Sequence, residues 1–389
     1  MMEVMKFINE IVEENRCYGC ELCANSCPTS AITMEFINGF KQPVVNKQKC
    51  INCGKCYKVC IARDNVRTKN FSTLKYYYGY TSDKEALHNS ASGGAAFEMY
   101  KIILSHFNGI VYGVLYNEES GIPEYTRVDS LDKISKLQGT KYAQATKGSI
   151  YKLIKKDLDE SRTVLFIGTP CETAAVKRYV GKEYKKLFTV QLICMGVTSP
   201  CIFKAFTIEK CNGSIHDVHE RYKNDNEWFN SYFCAKGIKN YHRPFDLTEY
   251  SFLFKWIGRS SCYECGYKGQ NRVADITIGD FWGAKNYVSK INSEGMSIIS
   301  VHTPKGQILL ELMQWTELQN YDEDRFNRHV NNCREINNNR DAILNACLQG
   351  MPFKKVVRKY SCGKEKIRYF MSRIVSNKLW NLINRCKNV

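Results

Sequence analysis

Eight of the 19 cysteines of this 389-residue chain lie in two groups near the N-terminus. The first group is Cys17, Cys20, Cys23 and Cys27, and the second is Cys50, Cys53, Cys56 and Cys60. Thiolates are soft ligands that select zinc or iron–sulfur clusters. The regular spacing within each group therefore predicts bound metal rather than disulfides, in line with the odd cysteine count and the length of the chain.

The repeated Cys-x-x-Cys-x-x-Cys-x-x-x-Cys run favours iron–sulfur clusters, because it is the ligand spacing of bacterial ferredoxins, in which the fourth cysteine binds the cluster of the other run. We predict one [4Fe–4S] cluster on Cys17, Cys20, Cys23 and Cys60, and a second on Cys50, Cys53, Cys56 and Cys27. Pro28 follows the first run but Ile61 follows the second, a departure that removes no ligand. Zinc sites are the alternative, although they prefer two Cys-x-x-Cys pairs separated by a longer gap.

Four further cysteines lie where functional side chains gather in α/β folds. Cys171 and Cys194 each follow a predicted strand, and Cys262 and Cys265 form a Cys-x-x-Cys pair. Functional residues collect at the carboxyl ends of parallel strands, and four thiolates are enough for a third [4Fe–4S] cluster. The alternatives are buried free thiols at Cys171 and Cys194, with a zinc or redox pair at Cys262 and Cys265.

The remaining cysteines show no ligand spacing, and we predict small buried or incidental thiols there. They are Cys201, Cys211, Cys234, Cys333, Cys347, Cys362 and Cys386. The first 15 residues lack a basic stretch followed by an apolar core, so a secretory signal is not expected. No apolar run approaches the ~18 residues of a membrane span. These features predict a cytoplasmic location and leave a peripheral membrane contact open.

Four turns contain residues that suit the phosphate of a cofactor. Ser92, Gly93 and Gly94 precede a predicted helix, where backbone amides can approach an anion. The turn of Gln138, Gly139, Thr140 and Lys141 offers amides, a hydroxyl and a cation. Thr169 lies in a tight turn after a strand, and the turn 279–283 supplies an acid, aromatic residues and glycines. Each turn alone is a weak signal, since serine and glycine also cap helices. Together they predict a nucleotide-like cofactor.

Strand and helix patterns alternate around these turns, which is typical of an α/β domain with a parallel or mixed sheet. Apolar β-branched runs predict strands at 109–116, 163–167, 187–193, 274–278 and 297–301. Helical periodicity occurs at 95–107, 150–158, 172–179, 200–211 and 305–315. The segment 215–237 is predicted to form antiparallel strands inserted into the domain.

We therefore predict an α+β or α/β protein in four parts. A small bacterial-ferredoxin-like domain spans 1–65, a linker 66–75, a mixed-sheet α/β domain 76–330, and an Asn-rich loop with a basic helical tail 331–389. From Lys354 onward the chain has 11 basic residues and one acid, so most of its net charge of +17 lies in the tail. Phe370, Ile374, Leu379 and Leu382 are candidates for an apolar stripe. A tail of this composition is predicted to contact an anionic membrane or an acidic partner. Binding to nucleic acid is not expected, because no nucleic-acid-binding motif accompanies the positive charge.

The order of the motifs resembles that of the beta subunits of coenzyme F420 hydrogenases and dehydrogenases, which form one family. Two ferredoxin-type runs precede NSASGGAAF, LQGTKY, LFIGTPCE, ICMGVTSP, a Cys-x-x-Cys pair and ADITIGDFWG, over residues 1 to about 300. The resemblance implies an α/β body that binds FAD and an iron–sulfur centre and exchanges electrons with the deazaflavin coenzyme F420. It implies a third cluster on Cys171, Cys194, Cys262 and Cys265. It also implies flavin contacts at Ser92, Gly93, Gly94, Gln138, Gly139, Thr140, Lys141 and Thr169.

These features predict an iron–sulfur flavoprotein oxidoreductase that passes electrons between [4Fe–4S] clusters and a hydride carrier or substrate, coenzyme F420-like or other, through FAD. Its partner is a redox protein or a small hydride carrier. The alternative is a non-enzymatic iron–sulfur adapter for a partner enzyme, for example in polysaccharide biosynthesis, because some bacterial relatives are encoded near polysaccharide-assembly enzymes. No catalytic acid or base is assigned, since none of the seven histidines lies in a motif that gives it such a role.

Overall fold

A computed structural model of the chain describes residues 8, 12–63, 72–213, 215–224, 227–228, 230–269, 272–322, 336–375 and 379. Its first part is an antiparallel hairpin of strands β1 (Ile32–Ile37) and β2 (Phe40–Val45) with two short helices, α1 (Leu22–Ser26) and α2 (Lys55–Val59). Each helix contains the third cysteine of its run and ends at the fourth, Cys27 or Cys60. The two cysteine runs therefore have matching local structures.

An eight-stranded mixed sheet forms the body, in the order β13-β3-β12-β11-β7-β6-β4-β5. Its strands are β3 (Lys75–Gly79), β4 (Ile110–Asn117), β5 (Ile122–Val128), β6 (Val164–Gly168), β7 (Leu187–Leu192), β11 (Ile276–Asp280), β12 (Ser297–Val301) and β13 (Thr316–Leu318). The four central strands β11, β7, β6 and β4 are parallel, and the flanking pairs are antiparallel. Central strands such as β6 are apolar along their length because both faces of the sheet are covered.

Helices cover the two faces of this sheet. They are α4 (Ala95–Ser105), α5 (Ile150–Asp159), α6 (Pro170–Val180) and α9 (Pro304–Met313), and the short helix α3 (Lys84–Asn89) precedes them in the chain. One buried core joins α4 and α9 to the sheet through Ile103 and Leu309. A second core joins α5 and α6 to the sheet and includes Cys20, Leu22 and Ile61 of the N-terminal part. The cysteine loops of the N-terminal part therefore pack on the α5–α6 side of the body.

A smaller antiparallel sheet packs with the C-terminal helices. It consists of β8 (His216–Lys223), β9 (Ser231–Lys236) and β10 (Tyr241–Pro244), in the order β10-β9-β8. The helices of this part are α7 (Pro200–Cys211), α8 (Glu249–Leu253), α10 (Arg340–Leu348), α11 (Phe353–Tyr360) and α12 (Gly363–Ile374). Aromatic rings fill its core; those of Phe206 and Phe353, for example, meet edge to face at 5.3 Å.

The strands and helices predicted within the body are confirmed, with ends displaced by no more than two residues. The predicted insertion at 215–237 is an antiparallel sheet, and it extends one strand further, to β10. The sequence did not reveal β5, β13 or β3. The strands β5 and β13 are edge strands that depend on their neighbours, and β3, which begins at the last residue of the predicted linker, lies between β13 and β12. Among the described residues, none of the helices has the length and apolar character needed to cross a bilayer.

Candidate iron–sulfur and cofactor sites

The first predicted cysteine set is brought together by the loop before α1 and the end of α2. Cys20 is buried, and Cys17, Cys23 and Cys60 are partly buried. Burial, together with the nearby thiols of Cys17 and Cys60, raises the pKa of Cys20 to about 12. Burial and the same neighbours, with Cys20, raise the pKa of Cys23 well above its usual value. The four thiols predicted to share a cluster are thus electrostatic neighbours.

The second predicted set, Cys27, Cys50, Cys53 and Cys56, is more open to solvent. Cys53 is exposed and the other three are partly buried. Burial raises the pKa of Cys56, and the thiols of Cys50, Cys27 and Cys53 add to this shift. The backbone N–H of Ala31 donates to Cys27 Sγ over 3.3 Å. Hydrogen bonds to sulfur and solvent exposure are among the features that set a cluster's potential.

The third predicted set surrounds a pocket at the carboxyl edge of the parallel strands. Cys171 lies in the first turn of α6, directly after β6, and Cys194 lies two residues after β7. Cys262 and Cys265 come from the connection between α8 and β11. All four line one pocket with an empty volume of about 430 Å³, including the solvent at its mouth. The structure therefore collects these thiols from three separate segments.

Short-range contacts shape this third pocket. The Gly196 N–H donates to Cys194 Sγ over 3.3 Å, and Thr169 Oγ1 lies 3.3 Å from Cys171 Sγ. Gly196 has a φ of 110°, and a Cβ there would lie 2.8 Å from the Cβ of Cys262. Only glycine permits both this backbone conformation and this approach. Burial raises the pKa of Cys194 to about 11, so burial by itself disfavours the thiolate of this residue.

The chemistry of these donor sets fits [4Fe–4S] clusters. Within the described ranges, no group of three or more His, Cys, Asp or Glu side chains is arranged to hold a single metal ion. A cluster of four irons is larger than one ion, and each of its four thiolates binds a different iron. The third set meets that requirement with four thiols around a common pocket.

A buried arginine joins the first cysteine loop to the loop that supplies Cys262. Arg259 is 2% exposed, and its Nε donates to the carbonyl oxygen of Cys17 over 2.6 Å. Its Nη1 donates to Gln144 Oε1 over 2.9 Å. A Cβ on Gly19 would lie 2.5 Å from Arg259 Nη1, so the guanidinium packs directly on the first loop. Arg259 is not predicted as a functional residue from the sequence; its position three residues before Cys262 is the available signal.

Buried charges also lie between the first and third sets. Lys147 Nζ contacts Glu172 Oε1 at 2.7 Å, with both side chains buried. The carboxylate of Glu21 accepts hydrogen bonds from the N–H groups of Lys147 and Gly148, over 3.0 and 3.2 Å. Glu21 follows Cys20 in the chain, and Glu172 follows Cys171. This network therefore ties together residues adjacent to both sets, and removing one of its charges would leave another buried and uncompensated.

The predicted flavin contacts are divided among three places. Gln138, Gly139, Thr140 and Lys141 line a polar pocket of about 280 Å³, opposite residues of α3 and β8. Thr169 lines the third cysteine pocket instead. Ser92 Oγ donates to Met296 O over 2.6 Å, and Gly93 N–H donates to Ser297 Oγ over 3.0 Å. The Ser92–Gly94 segment thus packs against the start of β12 and is not among the residues that line either pocket.

Buried charges of both signs surround the polar pocket. Glu220 is fully buried; its Oε1 accepts from the Tyr142 N–H over 2.8 Å, and its Oε2 has no hydrogen-bond partner. Burial raises the pKa of Glu220 to about 7 and lowers the pKa of Lys141 to about 7. Arg221 pairs with Asp280 at 2.8 Å. The side chains of Arg221 and Lys141, both in the lining of this pocket, are the groups that suit the phosphate of a cofactor, whereas the Glu220 carboxyl repels a phosphate when it is ionised.

A short stretch of chain links the polar pocket to the third cysteine pocket. Lys141 lines the polar pocket and Gln144 lines the cysteine pocket. Between them Ala143 pairs with Thr198, and the Gln144 N–H donates to Thr198 O over 3.0 Å. Three residues span at most about 11 Å between Cα atoms. The two pockets are therefore close neighbours.

Two protein families match this chain. Residues 161–323 match the family described as the C terminus of coenzyme F420 hydrogenase/dehydrogenase beta subunits. Residues 16–63 match the 4Fe-4S dicluster domain. The first match contains all four thiols of the third set, and the second contains the eight thiols of the first two.

Individual relatives cover parts of the chain. It is 22% identical over 198 residues to one of the F420H2 dehydrogenase subunits in Methanosarcina mazei, and the match covers 48% of this chain and 56% of that protein. It is 40% identical over 62 residues to a polyferredoxin-like protein of Methanocaldococcus jannaschii, covering 14% and 37%. The chain thus spans about half or less of these curated relatives. A chain of the F420-reducing [NiFe] hydrogenase complex from Methanosarcina barkeri aligns with a TM-score of 0.44 and 16% identity, over 74% of this chain and 92% of that one.

The mixed α/β body with its cysteine-rich N-terminal part defines a protein of the iron–sulfur class. More narrowly, residues 161–323 match the C-terminal region of coenzyme F420 hydrogenase/dehydrogenase beta subunits, and a 4Fe-4S dicluster domain precedes this region in the chain. The resemblance seen in the order of the sequence motifs is confirmed.

Proposed function

We propose that the protein is an iron–sulfur flavoprotein oxidoreductase that passes electrons between [4Fe–4S] clusters and a hydride carrier or substrate through FAD. Coenzyme F420 is one candidate carrier, since the relative in Methanosarcina mazei is named as part of an F420H2 dehydrogenase. When bound, the clusters carry single electrons and the flavin couples them to hydride exchange. The observation that carries the proposal is the arrangement of three thiol sets and one polar pocket in a continuous series.

The series has three short links. In this assignment the first and second sets exchange their fourth cysteines, so Cys23 on the short helix α1 and Cys27 directly after that helix belong to different sets. Tyr18 follows Cys17 in the chain and lines the pocket of the third set. The third pocket and the polar pocket lie at the two ends of the 141–144 stretch. Each proposed binding place therefore has a neighbour to which an electron can pass.

We assign roles to the residues on the same basis. The predicted cysteine sets bind the three clusters, and Gln138, Gly139, Thr140 and Lys141 contact the flavin, with Thr169 on the side of the third cluster. Lys141 and Arg221 supply positive charge for its phosphates, and Glu220 can hold or release a proton near neutral pH. Ser92 and Gly93 contact the start of the neighbouring strand β12, and the flavin contacts predicted at Ser92, Gly93 and Gly94 stay predictions. The predicted domain boundaries and cytoplasmic location stay predictions.

The test is cofactor content. Protein purified without oxygen is precipitated with acid, the released flavin is identified, and iron is counted; we expect about one FAD and about 12 iron atoms per chain. Lys141→Met should reduce bound FAD several-fold with unchanged iron, because the variant keeps the thiols and loses the phosphate cation. Lys152→Met, at an exposed position on α5, is the matched control and should retain FAD. Full iron without flavin in the unaltered protein contradicts the proposal.

One observation favours the adapter alternative as a second candidate. Polar groups of predicted flavin contacts already have protein partners: Gln138 Nε2 donates to Ala86 O over 2.8 Å, and Lys141 Nζ donates to Leu137 O over 3.1 Å. A chain that passes electrons to a partner enzyme without binding flavin would need no free groups there. The cofactor measurement separates the two functions, because the adapter contains iron and no flavin.

We also propose partners for the two ends of the molecule. The second cysteine set is the place for a redox partner, since Cys53 is exposed and Asn46–Arg63 contains five basic residues and no acid. The basic C-terminal part is the place for a peripheral contact with an anionic membrane or an acidic partner. Its described helices α11 and α12 carry eight basic residues and one acid.

A further inference from the structure

Helix α12 presents a row of large apolar side chains to solvent. Ile367, Phe370, Met371 and Ile374 are 50% to 66% exposed. Their spacing of three, one and three residues puts them on one face, because a helix turns about 100° per residue. Four such side chains on one helix form a contiguous patch rather than scattered exposed residues.

Basic side chains flank this apolar row on each side. By the same helical rotation, Lys364 and Arg368 lie along one edge, and Lys366 and Arg373 lie along the other. All four are exposed. The guanidinium of Arg373 pairs with Glu249 at 3.6 Å and that of Arg368 lies 5.1 Å from the ring centroid of Phe252, so these two side chains contact the body. The long side chains of Lys364 and Lys366 can keep their charged ends in the headgroup layer while their stems cover apolar surface.

The opposite face of α12 fixes the helix to the body. Tyr369 and Ser372 are buried, and the ring of Tyr369 meets that of Phe252 edge to face at 5.2 Å. Arg243 Nη2 donates to Ser372 O over 2.9 Å. Glu365, the single acid of the helix, pairs with Lys255. The apolar row therefore points outward on a helix whose other face is already packed.

We infer that α12 is a membrane-surface helix whose apolar row inserts at the headgroup boundary of an anionic bilayer. A helix with a large apolar face between basic edges has the composition of interfacial helices. The row projects from a helix surface, so a flat, deformable lipid surface can cover all four side chains at once. The exposed Lys354, Lys355, Arg358 and Lys359 of α11 add positive charge on the preceding helix. This inference goes beyond the proposed redox function and does not depend on it.

The experiment is sedimentation of the complete, anaerobically purified protein with lipid vesicles. We expect binding to vesicles containing phosphatidylserine, at least tenfold weaker binding to phosphatidylcholine vesicles, and weakening as salt is raised. Phe370→Ser with Ile374→Ser should reduce binding to the anionic vesicles more than about tenfold, since two large side chains no longer insert. Because both positions are exposed, the double variant should keep its iron content and thermal midpoint.

Control variants and a soluble polyanion test whether the apolar row of α12 binds lipid or an acidic protein. Ile238→Ser removes a side chain that is 80% exposed outside α12 and should leave binding unchanged. Lys364→Gln with Lys366→Gln should weaken binding to anionic vesicles without affecting the small binding to neutral ones. Vesicle binding that is absent, or that is unchanged in the Phe370/Ile374 variant, would overturn the inference. Equal binding of the wild type to soluble polyglutamate and to anionic vesicles would also overturn it, and would assign the surface to an acidic protein.

Discussion

At the scale of single residues, the third cysteine set depends on a glycine. Gly196 combines a φ of 110° with a position where an added Cβ would meet the Cβ of Cys262 at 2.8 Å. Its N–H also donates to Cys194 Sγ. One residue without a side chain thus lets the loop after β7 approach the Cys262 loop, and this approach closes the pocket.

Gly196→Ala should therefore remove the third cluster and spare the other two. The added methyl group pushes the Cys262 loop away from Cys194, and the backbone must also leave the left-handed region. We expect iron to fall from about 12 to about eight atoms per chain, measured by iron analysis of anaerobically purified protein.

Gly350→Ala is the control for this prediction. Gly350 also has a positive φ, of 79°, but no atom lies within 4 Å of its added Cβ. The Gly350→Ala variant should lose about as much stability from backbone strain as Gly196→Ala, and it should keep all its iron. Retention of full iron by Gly196→Ala would show that the four thiols do not share one cluster.

At the scale of elements, strand β8 forms one wall of the polar pocket and buries a carboxyl group there. Glu220 lies on β8, and the 138–142 segment opposite supplies Lys141 and the Tyr142 N–H that donates to it. The pKa of Glu220 rises from 4.5 to about 7 because burial disfavours the charged form. A strand that is otherwise an ordinary sheet member therefore contributes a group that titrates near neutral pH.

Glu220→Gln should change the pH dependence of stability. Between pH 4.5 and 7 the folded protein holds a proton on Glu220 that the unfolded chain has released, so the wild type loses stability as pH rises through this range. Above pH 7 the buried carboxyl is ionised, and the resulting loss in the free energy of unfolding reaches its full value, at most about 3 kcal/mol. This loss is the cost of burying the charge. The glutamine removes this cost, so the variant should gain several degrees in thermal midpoint relative to wild type at pH 8 and little at pH 5.

The matched control for this titration is Glu118→Gln, at an exposed position at the end of the β4–β5 hairpin. Its difference from wild type should be the same at both pH values. If Glu220→Gln behaves in the same way as this control, Glu220 does not hold a proton in the folded state.

At the scale of the whole molecule, Arg259 joins the N-terminal part to the body. Its guanidinium donates to Cys17 O, to Gln144 Oε1 and, through Nη2, to Lys41 O over 3.1 Å. Two of these acceptors belong to the N-terminal part and one to the body. The positive charge also lies beside the proposed first cluster, where it offsets the negative charge of four thiolates.

Arg259→Met should weaken this junction strongly. Three hydrogen bonds are lost and their acceptors remain buried, so we expect a loss of about 3 kcal/mol, measured as a lower thermal midpoint of the iron-loaded protein. Arg178→Met is the matched control, since Arg178 also bridges the two parts, to Lys58 O over 2.7 Å, but is exposed. The control should lose less than about 1 kcal/mol. Equal losses in the two variants would contradict the role of burial at Arg259.

The sequence predicts most of the α/β body but not its edges. The apolar run 187–193 and the helical periodicity of 200–211 are patterns within short segments of the chain. The structure has β7 and α7 at these places. The short β13 has only three residues and forms because β3 lies beside it. Part of the Asn-rich stretch 331–340, together with Cys333, Cys386 and Leu382, lies outside the described residues, so their predictions cannot be compared.

By itself, the sequence determined the two N-terminal cysteine runs, because ligand spacing within one loop is a local property of the chain. It also determined that Cys171 and Cys194 follow strands. Only the tertiary structure decided that these thiols meet Cys262 and Cys265, that Arg259 lies against Cys17, and that Thr169 and Gln138 face different pockets. These contacts join residues distant in the chain, and they exist only after the parallel strands have paired and the N-terminal part has packed on α5 and α6.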